Sequence, residues 1–150
     1  MKKIFILLSL FFVFDSYAQT KLFIHPDGDN YAANTKTIAL LPLNVQVKLR
    51  PKELKDFTSE QIIQMGQDEA LDIQKGMHSW FLTRMKRGET IAKVQSPQRT
   101  NALLKKAGID IFDASSYLPS ELGEILEVDC VVMGSFETSK PMSTAASLGL

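Results

Sequence analysis

A single long stretch with helical spacing constrains the fold more than any other part of the chain. Residues 58–87 repeat apolar or small side chains every three or four positions: Ile62, Gly66, Ala70, Ile73, Met77, Phe81 and Met85. Thr58 followed by Gln61 predicts a capping box at the start, and Gly88 predicts a left-handed cap at the end. We therefore expect an amphipathic helix more than twice as long as the average of about 11–12 residues.

Short apolar runs on either side of this helix predict strands. Residues 37–43, TIALLPL, are apolar without alternation, as in a strand covered on both faces. Pro42 lacks a ladder donor, so this strand should end there or lie beside a sheet edge. Residues 45–49 alternate and could extend it, while residues 90–95 and 130–137 predict a second and a third strand.

Two shorter helices are predicted between the second and third strands. The first runs from Pro97 to Lys106, with Ala102 and Leu103 toward the core. The second runs from Pro119 through residue 127, and its apolar stripe consists of Leu122, Ile125 and Leu126. Both begin with proline at a first-turn position, where the missing N–H has no partner to lose.

The order strand, helix, strand, helix, helix, strand is typical of α/β proteins, which join parallel strands by right-handed crossovers. We predict a small, mainly parallel sheet with crossover helices over residues 37–138. Three strands are fewer than the usual five or six or so, so we expect an incomplete α/β domain. Residues 139–150 should be an incomplete tail or the start of a further segment.

Residues 1–18 predict a signal peptide. They combine a basic start, an apolar run at residues 4–14 and the small residues Ser16 and Ala18. The run is well short of the roughly 20 apolar residues that span a bilayer, which favours cleavage before Gln19 over a membrane anchor. No cysteine follows the cleavage site, so a lipid anchor there is not available, and residues 19–36 should form an exposed leader.

Patterns for catalysis, metal binding or nucleotide binding are few. Glycine-rich phosphate loops and nucleophile elbows are absent, and neither His25 nor His78 has a second ligand at metal spacing. The segment HPDGDN at residues 25–30 favours a turn over a calcium loop. Removal of residues 1–18 leaves fifteen basic and sixteen acidic residues, which argues against a nucleic-acid partner. We expect no enzyme activity, cofactor or metal.

The single cysteine, Cys130, stands among Val128, Val131, Val132 and Met133. One thiol cannot close a disulfide within its own chain, and a free cysteine in an apolar strand usually serves as a small hydrophobic residue. An intermolecular disulfide, a metal ligand and a nucleophile remain the alternatives.

The motifs TIALLPL, ALLKKAGI and LGEILEVDCVVMGSF, together with the long helix, give residues 37–136 a layout that resembles the curli-secretion component CsgG. It is also similar to the lipoprotein activators of penicillin-binding proteins and the N-terminal domain of TolB. The resemblance places Asp129 and Gly134 at matching positions and implies structural roles for Asp129, Cys130 and Gly134. Gly134 would allow a close backbone approach or a bulge, and Cys130 would pack beneath a helix.

This resemblance implies an exported, non-enzymatic envelope protein, periplasmic or associated with the outer membrane, that acts through protein contacts. The membrane-spanning hairpins of the curli channel do not occur within these residues, so membrane association would require residues beyond 150. The long helix either lies across the sheet as core or overhangs it and contacts a partner. The expected contact residues, to a homo-oligomer or an envelope protein, are Met77, Trp80, Phe81 and Met85.

A second hypothesis places a small-molecule-binding or hydrolytic site at the carboxyl ends of the strands, where open α/β sheets bind ligands. The polar residues expected there are Asn44, Gln95, Ser96, Ser135 and Glu137.

Overall fold

The structure is a computed structural model that describes residues 25–139. The chain separates into two compact units, residues 1–32 and 33–150. The described residues begin with a turn that leads into helix α1 (Gly28–Asn34), which has no buried residue. This short helix was not predicted, because it carries no apolar stripe. The predicted signal peptide and the tail beyond residue 139 lie outside the described residues.

Among the described residues of the second unit, five short strands form two parallel groups. Strands β1 (Thr37–Leu40), β3 (Lys93–Val94) and β4 (Cys130–Val132) pair in the order β3-β1-β4. Strands β2 (Asn44–Val47) and β5 (Ser135–Thr138) pair with each other. The predicted small parallel α/β fold is confirmed. Its strands are shorter than predicted, because the first and third predicted strands are each interrupted.

The interruption shifts the strand register by one residue. Ile38 pairs with Cys130, whereas Asn44 pairs with Ser135. Three residues connect β1 to β2, but only two connect β4 to β5, as in a β-bulge. Pro42, which has no N–H to donate, lies in the longer connector. As predicted, β1 ends before Pro42, although β1 is the central strand and not an edge.

The long helix α2 (Ser59–Lys86) has the predicted start and end. The Thr58 side chain accepts from the Gln61 backbone N–H, and the Gln61 side chain accepts from the Thr58 N–H at 2.8 Å. Gly88 has a φ of 71° just beyond the helix. These contacts confirm the capping box and the left-handed cap, so local chemistry defines both ends of α2.

Helices α3 (Pro97–Lys106) and α4 (Pro119–Leu126) pack on β1 and β4 and cover one side of the core. The central core residues are completely or almost completely buried: Ala39, Leu41, Leu104, Leu122 and Leu126. Ala102 is exposed, contrary to the prediction. The buried face of α3 consists instead of Pro97, Thr100 and Leu104, because these positions share one side at three- and four-residue spacing.

Full burial along α2 ends at Gln74, and within the described chain the residues beyond it are at most half-buried. The buried residues of α2 are Gly66, Glu69, Ala70 and Gln74. Gly66 lies against β2, where an added Cβ would approach the Val45 carbonyl oxygen to 2.9 Å. The apolar stripe predicted to continue to Met85 is only half-buried beyond this point. Spacing shows which side of a helix is apolar, but not how far other elements extend along it.

Candidate functional site

The second half of α2 and strand β4 form an apolar groove. It has a volume of about 510 Å³ and is lined by Gly76, Met77, Trp80, Phe81 and Val132. We call these five residues the α2 groove. Val131 packs against the core, so alternation along β4 directs Val132 to the opposite side, toward α2. The groove is therefore built from a helix face and a strand that are distant in sequence.

Trp80 stands at the exposed side of the α2 groove with half of its surface accessible. Its ring meets Phe81 edge to face, with a centroid separation of 5.0 Å. The Arg84 guanidinium lies 3.7 Å from the Trp80 ring centroid, a cation–π contact worth about 0.5–1 kcal/mol at an exposed position. These two neighbours fix the orientation of the indole while leaving much of its surface uncovered.

Gly76 is a mid-helix glycine for which the packing of the described chain gives no reason. Among residues 25–139, no neighbouring atom would lie within 4 Å of a Cβ added to it. Gly66, in contrast, is required by the approach of β2. A glycine inside a helix costs roughly 0.5–1 kcal/mol relative to alanine. Gly76 thus accepts that cost and leaves an open notch in the α2 groove.

Three of the four predicted contact residues, Met77, Trp80 and Phe81, lie together in this groove. Met85 is half-buried and does not line it. Gly76 and Val132 also line the groove and were not predicted. Gly76 precedes Trp80 by one helical turn, so its place beside Trp80 could have been predicted from helical spacing. Val132 could not have been predicted in this way, because its position depends on the packing of β4 beside α2.

The polar residues of the strand-end hypothesis are divided between two places. Gln95 follows β3, donates to the Leu126 carbonyl oxygen at 2.9 Å and accepts from the Thr100 hydroxyl at 2.8 Å. Ser96 caps α3 by accepting from the Arg99 N–H at 3.3 Å. Both side chains are thus engaged in holding α3 and α4.

The other three residues of that hypothesis belong to the β2–β5 pair. Asn44 and Ser135 are register partners at its first rung. Glu137 forms an exposed ion pair with Lys48 at 2.6 Å. All three were predicted to lie at strand ends, because the sequence does not reveal the interruptions that separate β1 from β2 and β4 from β5.

Asp129 joins the beginnings of β1 and β4. One of its carboxylate oxygens accepts from the Lys36 and Thr37 N–H groups at 3.0 and 2.8 Å and from the Thr37 hydroxyl at 2.9 Å. The Asp129 N–H donates back to that hydroxyl at 3.1 Å. The Thr37 hydroxyl, followed by the two backbone donors, lowers the pKa of Asp129.

Cys130 is half-buried on β4, beside an open depression of about 620 Å³ that helix α4 lines on its other side. Burial, and then the Asp129 charge, raise the pKa of its thiol. A protonated thiol is a poor nucleophile and a poor metal ligand. The thiol is less covered than the expected position beneath a helix implies.

Gly134 lies in the two-residue connector between β4 and β5. Its carbonyl oxygen accepts from the Asn44 N–H at 2.9 Å. A Cβ added here would be 3.9 Å from Leu43, an ordinary contact. The extra residue of the bulge belongs to the opposite connector, so neither close approach nor a local insertion accounts for this glycine.

Residues 25–139 show neither a metal-binding cluster nor a membrane-spanning helix. They contain no group of three or more His, Cys, Asp or Glu side chains arranged to hold a metal ion. Within the same range, no helix is both long and apolar enough to cross a membrane.

No protein-family model, curated protein or solved structure matches this chain. The geometry of the α2 groove is therefore the principal guide to function.

Proposed function

We propose that this chain is an exported, non-enzymatic cell-envelope protein that acts by binding protein through the α2 groove. The observation that carries the proposal is the half-exposed Trp80 in a groove lined by apolar side chains. The resemblance to the curli-assembly group points in the same direction. Its place of action would be the periplasm or the outer membrane.

The composition of the groove supports protein binding over small-molecule binding. Tryptophan and arginine are enriched among the residues that dominate interface energies, and such residues lie near the centre of an interface. Trp80 and Arg84 are stacked at this site. The groove lining offers almost no hydrogen-bonding side chain, whereas small-molecule sites usually include a few placed polar groups.

Two further features support the proposal. Residues 1–18 have the composition of a signal peptide. Three of the five polar strand-end residues contact other parts of the fold through their side chains: Gln95 donates to the Leu126 carbonyl oxygen, Ser96 accepts from the Arg99 N–H, and Glu137 pairs with Lys48.

Native mass spectrometry of the protein expressed from its own gene tests association. Soluble and membrane fractions are compared for the unaltered chain, Trp80→Ala and Leu82→Ala. Leu82 is a matched control, because it is an exposed apolar residue of the same helix outside the groove. We expect assembly to be lost in Trp80→Ala and retained in Leu82→Ala. Assembly that persists in Trp80→Ala would exclude the groove, and a monomer in both fractions would exclude association.

N-terminal peptide mapping tests export separately. We expect the mature protein to begin at Gln19 and to leave the cytoplasm. A mature chain that retains residues 1–18 in the cytoplasm would contradict the export half of the proposal without affecting the association result.

A further inference from the structure

One row of residues along α2 would be complementary in shape and charge to the same row on an antiparallel copy of the helix. Asp72, Gly76, Trp80 and Arg84 follow each other every four residues and form one ridge of the helix. The first three are exposed, and the Arg84 side chain is 35% exposed. The row thus contains, in order, a negative charge, a notch, a large aromatic side chain and a positive charge.

We propose that the partner of the α2 groove is a second copy of this chain, bound through an antiparallel pair of α2 helices. The proposal rests on the proposed function and names its partner. A two-fold axis beside residue 78 would place Trp80 of each copy in the Gly76 notch of the other. The same axis would place each Asp72 opposite the Arg84 of the other copy.

The steric part of this match gives Gly76 a purpose. Helices that interlock their four-residue ridges need a space for each protruding side chain, and a glycine provides the deepest space. Trp80 protrudes with half of its surface exposed, and the notch at Gly76 is open. A two-fold interface is self-complementary, so one notch and one protruding residue per copy satisfy both sides.

The charges of Asp72 and Arg84 favour an antiparallel over a parallel pair of helices. In a parallel arrangement each Asp72 would face its equivalent, and each Arg84 would do the same, with like charges opposed. The antiparallel arrangement pairs opposite charges twice. In the single chain Asp72 contacts Lys75 at 3.0 Å, and Arg84 contacts Glu89 at 3.5 Å while stacking on its own Trp80. Exposed ion pairs of this kind contribute little to stability. Both residues could therefore give up these intrachain pairs and form ion pairs with the second copy.

Charge reversal in the full exported chain tests the arrangement by sedimentation equilibrium. Asp72→Lys alone and Arg84→Glu alone should each raise the dimer Kd at least about tenfold, because each change opposes like charges at two places. An equal mixture of the two single variants should form a heterodimer with both pairs restored. The double variant should again form a homodimer.

Controls with the same change of charge are available elsewhere on the surface. Glu124→Lys on α4 and Lys105→Glu on α3 alter exposed residues away from the row. They should leave the dimer Kd within about threefold, because exposed charges at a distance are screened. A loss of dimer in these controls would show that net charge, and not the Asp72–Arg84 contact, governs association, and would overturn the proposal.

Gly76→Ala provides a test that misfolding cannot imitate. The added methyl has room within the described chain, so the melting temperature of the dilute monomer should rise while dimerisation weakens. A Gly76→Ala dimer as tight as the unaltered one would refute the notch.

Two outcomes separate this proposal from the proposed function. A purified chain that stays monomeric at all concentrations, or a variant mixture that fails to recombine, overturns the two-fold pair. If the assembly in cells still depends on Trp80 and contains a different protein, the proposed function stands without it. If no assembly depends on Trp80, both fail.

Discussion

Gln74→Met tests whether a side chain from α2 completes the backbone ladder of β1. The Gln95 N–H donates to the Ile38 carbonyl oxygen at 2.8 Å, and the alternation of a parallel ladder would assign the next donor to residue 97. That residue is Pro97, which has no N–H. The Gln74 side-chain amide instead donates to the Leu40 carbonyl oxygen at 2.6 Å.

The expected cost follows from burial. Gln74 and Leu40 are each 1% exposed, so no water replaces the lost donor. An unsatisfied buried group costs about 1–3 kcal/mol. Asn101 also loses two hydrogen bonds to Gln74, of 3.0 and 3.1 Å. Methionine preserves most of the volume, which limits any cavity. We expect a loss of about 2–4 kcal/mol in the free energy of unfolding.

Urea unfolding followed by far-UV circular dichroism measures this loss. Gln64→Met on the same helix is the matched control, since Gln64 is exposed and bonds only the exposed Asp68 among the contacts described. It should change stability by no more than about 0.5 kcal/mol. A similar loss of unfolding free energy in Gln74→Met and Gln64→Met would show that the burial of Gln74 does not determine the cost.

A double-mutant cycle then isolates the hydrogen bond between the Gln74 side-chain amide and the Leu40 carbonyl oxygen. Pro97→Ala restores an N–H at the position where the ladder lacks one, so Gln74→Met should cost about 1 kcal/mol less in that background. Equal costs in the two backgrounds would show that Gln74 does not replace a missing ladder donor.

Three further predictions follow from local contacts. Gly66→Ala should lower stability by about 1–3 kcal/mol, because its Cβ would approach the Val45 carbonyl oxygen to 2.9 Å; unchanged urea unfolding would contradict that contact. The pKa of Asp129 in the folded state lies below its ordinary value of 3.8. Its contribution to the free energy of unfolding is therefore present above pH 3.8 and is lost as the pH falls through the lower pKa of the folded state. Asp129→Asn should reduce this acid sensitivity in unfolding measured from pH 6 to pH 2, and an identical pH profile would argue against it. The thiol of Cys130 has a raised pKa, so its alkylation rate should rise at a higher pH in the folded protein than in urea; coincident profiles would remove burial as the cause.

Local chemistry explains which parts of the fold the sequence predicts well. The capping box of Thr58 and Gln61 marks the start of α2 to within one residue. Pro97 and Pro119 mark the starts of α3 and α4 in the same way. Each signal acts between residues a few positions apart, so no knowledge of the tertiary structure is needed to interpret it.

Features that depend on distant parts of the chain are predicted less well. The α2 groove combines Trp80, which helical spacing identified, with Val132, which only the placement of β4 beside α2 brings there. Gln74 is polar and gave no signal of burial, because its partner Leu40 lies on another element. Met85 shares the stripe of Met77 but lies beyond the groove, since spacing does not reveal where coverage ends.

The unequal connectors around Pro42 determine which changes of chain length this domain can tolerate. Val45 and Val47 are half-buried, while Asn44 and Gln46 are exposed. Deleting one residue between β1 and β2 would advance the strand by one position and turn both valines to solvent. Replacing Pro42 by another residue keeps the count and the orientation. Homologous chains should therefore conserve the number of residues between the two strands, while residue 42, which is buried, should vary only among apolar side chains.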